Sequence, residues 1–169
     1  ERIRRAGRMI KEASPLTTQD LDIGFRVYKL DSSNVKAWDY DPDHIADTLQ
    51  QSLFNIKPER SDYDLLYELI IKLGLSLTSK ITEHEIDGKM VYVVGSGELI
   101  ACLADNLTMN LADGIGRLWE KIKQDDANGY LKCRVVFEDT GFYGENGDEV
   151  KSNSILTLKQ YGIDNVVTV

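Results

Sequence analysis

The stretch Ile81-Thr82-Glu83-His84-Glu85-Ile86, then Asp87-Gly88, then Lys89-Met90-Val91-Tyr92-Val93-Val94 decides the fold class. Two alternating runs joined by Asp-Gly are the strongest short-range signal for a β-hairpin, because both residues accept the positive φ that its tight turn demands. Gly95-Ser96-Gly97 turns the chain again, into a third strand over 98–103. Downstream, apolar spacing predicts a helix from about Thr108 to Lys123, with Leu111, Ile115, Leu118 and Ile122 facing inward. A strand over 131–137 follows, then a Gly- and acid-rich loop, a helix from about Val150 to Tyr161 and a last strand over 166–169. Helices between apolar strands imply crossovers and parallel pairing. The continuous run Val135-Val136-Phe137 belongs inside the sheet rather than at its edge. The expected class is therefore α/β: a mixed sheet with an antiparallel hairpin and a C-terminal βαβαβ unit.

Upstream of the hairpin, Ser61 and Asp64 form a capping-box-like helix start. Leu65, Leu66, Leu69, Ile70 and Leu73 make one stripe behind it, and Gly74 supplies a left-handed C-cap. A second helix is expected after Asp41-Pro42, through Ile45, Ala46, Leu49 and Leu53. Residues 23–30 alternate as a strand, and Asp31-Ser32-Ser33-Asn34 has turn chemistry. Ile3, Ala6, Met9, Ile10 and Ala13 give residues 1–13 helical periodicity, ended by Ser14-Pro15. Three divisions follow: 1–13 as the trailing helix of an upstream domain, 14–75 as a strand plus helical connecting segment, and 76–169 as the α/β domain.

The 169 residues carry 20 Lys+Arg against 28 Asp+Glu, a net charge of −8. Residues 1–11 hold five basic side chains against Glu1 alone, a local +4, so the other 158 residues carry −12. An acidic body repels phosphate, which leaves only the first helical turns as a basic surface. No apolar run approaches a membrane span, and a cytoplasmic protein is expected. The opening Glu1-Arg2-Ile3-Arg4-Arg5 reads as mid-helix sequence, as though cut from a longer protein. Cys102 and Cys133 lie in apolar strands that could be neighbours, where free thiols act as small hydrophobes.

Chemistry is sparse. Gly95-x-Gly97 lacks a third glycine and is followed by Glu98 and a strand, so a turn explains it better than a phosphate cradle. Asp39, Asp41, Asp43 and His44 have metal-ligand chemistry but no calcium-loop spacing, and a helix start favours acids there anyway. His84 sits among charged neighbours and is expected to face solvent. Residues 138–149 are acid-rich and follow a parallel strand, the end at which α/β folds place ligands. No nucleophile or partner base is visible there, so a small hydrolase using this loop has little to stand on. Catalytic, cofactor and metal residues are accordingly expected to be absent from this chain.

Several phrases resemble one family in order and spacing. They are Glu1-Arg2-Ile3-Arg4-Arg5-Ala6-Gly7; the run from Gly24-Phe25-Arg26-Val27 through Ser33-Asn34, with Trp38-Asp39; and Asp64-Leu65-Leu66-Tyr67-Glu68. Val135-Val136-Phe137-x-Asp139-x-Gly141-Phe142, Lys151-x-Asn153 and Leu158-Lys159-Gln160 complete them. The family is the modification (Mod) subunit of type III restriction–modification systems, an adenine-specific DNA methyltransferase, and these phrases resemble its C-terminal region. The resemblance implies a parent that moves a methyl group from S-adenosylmethionine to adenine N6, after taking the base out of the stack. It also implies a homodimer, a restriction (helicase–nuclease) subunit as partner, and DNA contact through upstream regions. The family's Asp-Pro-Pro-Tyr and Phe-x-Gly-x-Gly motifs are missing: Asp41-Pro42-Asp43-His44 and Val94-Gly95-Ser96-Gly97 do not match them. Both belong upstream of residue 1, so no cofactor is expected in this chain. A dimerisation or assembly role remains; the competing reading is a free-standing acidic α/β interaction module.

The loop from Glu138 to Asn153 offers the one contact candidate. Phe142 either folds back onto the sheet or, with Lys151 and Asn153, meets a second subunit.

Overall fold

The computed structural model describes residues 1–15, 18, 23–36, 56–124, 126 and 131–169. Two compact units divide the chain, Glu1–Ser32 and Ser33–Val169.

In the larger unit a helix α2 (Asp62–Lys72) precedes the hairpin β1 (Ile81–Ile86) and β2 (Lys89–Val94). Then come β3 (Leu99–Cys102), helix α3 (Met109–Gln124), β4 (Arg134–Phe137), a 3-10 turn (Asp139–Phe142), helix α4 (Gly147–Gln160) and β5 (Asn165–Thr168). The sheet runs β1-β2-β3-β4-β5, antiparallel at the first two pairings and parallel at the last two. This is the expected α/β fold, and β4 lies inside the sheet as its apolar run requires.

Local chemistry sets the turns. Asp87 and Gly88 have φ of 52° and 69°, so both central hairpin residues take the left-handed region that the strand twist demands. At α2 the capping box is complete, with Ser61 and Asp64 satisfying each other's amides. At its other end Gly74 (φ 67°) lets the Leu75 amide reach back to the Ile70 carbonyl at 2.9 Å.

Strand alternation divides the core into two layers. Val91, Val93, Ile100, Val135 and Phe137 face α3 and α4, whose Leu111, Ile115, Trp119 and Leu158 close that side. Tyr92, Val94, Leu99, Ala101 and Val136 face α2, with Leu66 and Ile70 fully buried against them. The steps from β3 to β4 and from β4 to β5 move the same way across the sheet, which places α3 and α4 on one face. A boundary after residue 75 would cut this second cluster, so α2 belongs with the sheet.

In the smaller unit α1 spans Arg2–Ala13, and Gly7 is its buried residue. A Cβ on Gly7 would lie 2.8 Å from the Ile23 side chain, and Arg4 stacks 5.5 Å from the centre of the Phe25 ring. The strand expected over residues 23–30 does not form. Val27 is 81% and Leu30 96% exposed. Alternation prepares a face for burial, but a strand also needs a ladder partner, and the described residues provide none there. The helix expected after Pro42 and the acids around His44 lie outside the described residues. No helix among the described residues is long and apolar enough to cross a membrane.

Candidate functional site

The carboxyl ends of β3, β4 and β5 are where an α/β sheet offers ligand positions. The segment leaving β4 is not the open acidic loop that its composition suggested. It closes at once into the 3-10 turn Asp139–Phe142, and α4 begins at Gly147, three residues before Val150. Asp148 and Glu149, acids that read as loop residues, occupy the first helical turn, where the dipole favours negative charge. The turn and the helix are pressed together: a Cβ on Gly147 would sit 1.6 Å from the Phe142 carbonyl oxygen.

Two acids of this edge have side-chain partners. Lys151 Nζ donates to Asp139 Oδ1 at 2.5 Å, and this bond, aided by Thr168 and opposed by burial, holds the Asp139 carboxyl below its ordinary pKa. Glu138 shifts the other way. Burial pushes its carboxyl up against the hydrogen bond from Thr140 (2.6 Å), with further upward pressure from the charges of Asp105 and Asp62. Asp139 is thus paired with a lysine, while burial disfavours the charged form of Glu138. His84 stands on β1, three strands from β4 and so about 14 Å off. It is half-buried rather than solvent-facing, with Nε2 3.2 Å from Thr82 Oγ1. The contact between His84 and the Thr82 hydroxyl therefore lies on β1, away from the carboxyl edge of β3, β4 and β5. Among the described residues no three His, Cys, Asp or Glu side chains are grouped to hold a metal.

The three residues named as candidates for a second-subunit contact have different environments, and for Phe142 folding back onto the sheet is the alternative. Phe142 is 8% exposed and packs edge-to-face on Phe137, ring centres 5.4 Å apart at 80°. Its ring has folded back into the core, so it is no surface anchor. Lys151 is engaged by Asp139, and Asn153 is half-buried on α4. The exposed aromatic of this turn is Tyr143, 59% exposed, whose position follows from Phe142 turning inward.

The Gly95–Gly97 turn has its own internal ligand. Glu98 Oε2 accepts the Ser96 amide at 3.3 Å and lies 1.7 Å from where a Gly95 Cβ would be. The carboxylate fills the place a phosphate would need. Gly97 (φ 102°) also leaves room for Trp119, whose ring would be 2.9 Å from a Cβ there. Trp119 is a core residue that helical spacing alone did not single out, because Arg117 and Glu120 beside it break the apolar pattern.

Cys102 and Cys133 are not neighbours. The register pairs Cys102 with Phe137, four residues beyond Cys133 and so about 13 Å away along the strand. Burial pushes the Cys133 thiol up to about 12 and raises Cys102 as well. Neither thiol is expected to react with iodoacetamide at pH 8 until the chain unfolds, because the thiolate is the reactive form. Mass spectrometry of native and urea-treated protein checks this; labelling of Cys133 in the native chain would contradict it.

At the opposite, amino-terminal edge a groove of about 520 Å³ is lined by Leu73, Glu98, Lys132, Arg134 and Asp164, among others. Its charges are mixed, and the Cys133 that also lines it is the thiol that burial pushes up. No family model, no curated protein and no solved structure matches this chain. Fold and site together define an acidic three-layer α/β domain.

Proposed function

We propose that the chain is the C-terminal, non-catalytic part of the modification subunit of a type III restriction–modification system. In this reading it serves homodimerisation or assembly with the restriction subunit, in a cytoplasmic protein. The parent would methylate adenine N6 from S-adenosylmethionine, reading DNA and binding cofactor through regions upstream of residue 1.

The observation that carries the reading is that the phrases resembling the family meet one another in space. Ser33 Oγ and the Asn34 amide, ending one phrase, each donate to Glu68 at 2.8 Å, and Asn34 Nδ2 donates to the Asp64 carbonyl at 2.9 Å. Glu68 and Asp64 belong to the next phrase. A second joint links Asp139 of one phrase to Lys151 of another. Residues that recur because they hold joints would mark a shared fold, which suits a scaffold role.

The test uses the parent protein. Methyl transfer to adenine N6 in duplex DNA is expected of it, while residues 1–169 alone should bind no S-adenosylmethionine by calorimetry. Deleting residues 33–169 from the parent should leave cofactor binding intact and abolish co-purification of its partner subunits. A parent without methyl transfer would overturn the family reading. Retained assembly after the deletion would overturn the role.

A further inference from the structure

The two edges of the sheet are protected differently. On β1 the residues Glu83 and Glu85 are exposed and flank His84, so charge blunts that edge. At the other edge β5 and its next residue read Asn165-Val166-Val167-Thr168-Val169, with no charge, proline or bulge. Val167 is 42% and Val169 46% exposed. Among the described residues no strand pairs with the outer side of β5.

We propose that the outer edge of β5 is a self-association surface, on which a second copy of this chain lays its own β5 antiparallel, centred on Val167. It deepens the assembly role proposed above, on which it rests only for the expectation that copies meet. The register follows from the backbone. The Val169 amide donates to the Phe137 carbonyl at 3.0 Å, and the Val169 carbonyl accepts the Asp139 amide at 2.9 Å. Residues 165, 167 and 169 therefore turn their backbone groups toward β4, and Val166 and Thr168 turn theirs outward. With a twofold axis at Val167, Val166 of each copy faces Thr168 of the other. Each such pair exchanges both its N–H and C=O, so all four outward groups are satisfied at once. Val167 then faces its own counterpart in a non-hydrogen-bonded pair, where side chains stand closest. Charge points to the same place. Each copy carries −8 in total, so copies repel on average, and β5 together with Val169 offers five consecutive uncharged side chains at an open rim.

The experiment uses the full 169-residue chain. Sedimentation equilibrium at tens of micromolar is expected to give a dimer, and Val167→Lys a monomer with unchanged circular dichroism and melting temperature. Val167→Cys should oxidise to a covalent dimer, since such pairs place Cα atoms about 4.5 Å apart, within disulfide range. Val166→Cys, whose counterpart is Thr168, should not. The two cysteine variants keep the register testable should the lysine variant fail to fold. A monomeric wild-type chain, a dimeric Val167→Lys or preferential cross-linking at position 166 would each overturn the proposal. So would a monomeric chain whose β5 edge, carrying Val167→Lys in the parent, loses only the restriction subunit. None of these readouts involves methyl transfer, so failure here and failure of the family reading are separate results.

Discussion

Phe142→Ala is expected to lower the free energy of unfolding by about 3–5 kcal/mol, the range for removing a buried phenylalanine. The ring is 8% exposed and lies in one cluster with Leu107, Phe137 and Leu158. Its edge-to-face contact with Phe137 adds about 0.5–1.5 kcal/mol beyond simple burial. The cavity would open where relaxation is hardest. Gly141 sits against the Ala104 carbonyl and the Leu107 side chain, and the Gly141 carbonyl accepts the Leu107 amide at 2.8 Å. Urea unfolding should show a lower midpoint with an unchanged m value, and the melting temperature should fall by about 8–15 °C. Subunit association, measured separately below the new transition, should persist. Full stability with lost association would favour the interface alternative for Phe142.

What was legible in the sequence was chemistry that acts over one to four residues. Asp87-Gly88 and the Ser61/Asp64 box settle their backbones without help from distant parts of the chain, and the structure has both. Residues 23–30 failed as a strand because pairing is a non-local event that alternation only permits. The acids after β4 misled for a related reason. Composition counts Glu138, Asp139, Asp148 and Glu149 alike, whereas their roles depend on a lysine twelve residues beyond Asp139 and on which of them falls in a first helical turn. The fate of Phe142 needed the position of Phe137 across a turn whose shape the glycines left open. Trp119 and Gly97 accommodate each other from opposite sides of an element boundary, and no pattern in either segment announces it.

Acid should loosen the Ser33–Glu68 joint specifically. Burial alone would raise the Glu68 pKa, but hydrogen bonds from Lys72, the Asn34 amide and Ser33 outweigh it and hold it down to about 2, from 4.5. A carboxyl with a depressed folded pKa stabilises the fold fully above its unfolded value and loses that contribution as pH falls from about 4.5 toward 2. The contribution is about 2–3 kcal/mol. The Lys72 share is discounted because that side chain is 60% exposed, while Glu68 itself is only 17% exposed. Glu68→Ala should cost a similar amount at pH 7, since it leaves the part-buried Asn34 amide without its acceptor. Glu68→Gln keeps the shape and removes the charge, so its stability should depend less on pH than that of the wild type across this window. Urea midpoints of the two proteins at pH 6 and pH 3 provide the comparison, because other carboxylates titrate equally in both. Equal pH slopes would mean that Ser33 and Asn34 are held to α2 by something other than the Glu68 charge.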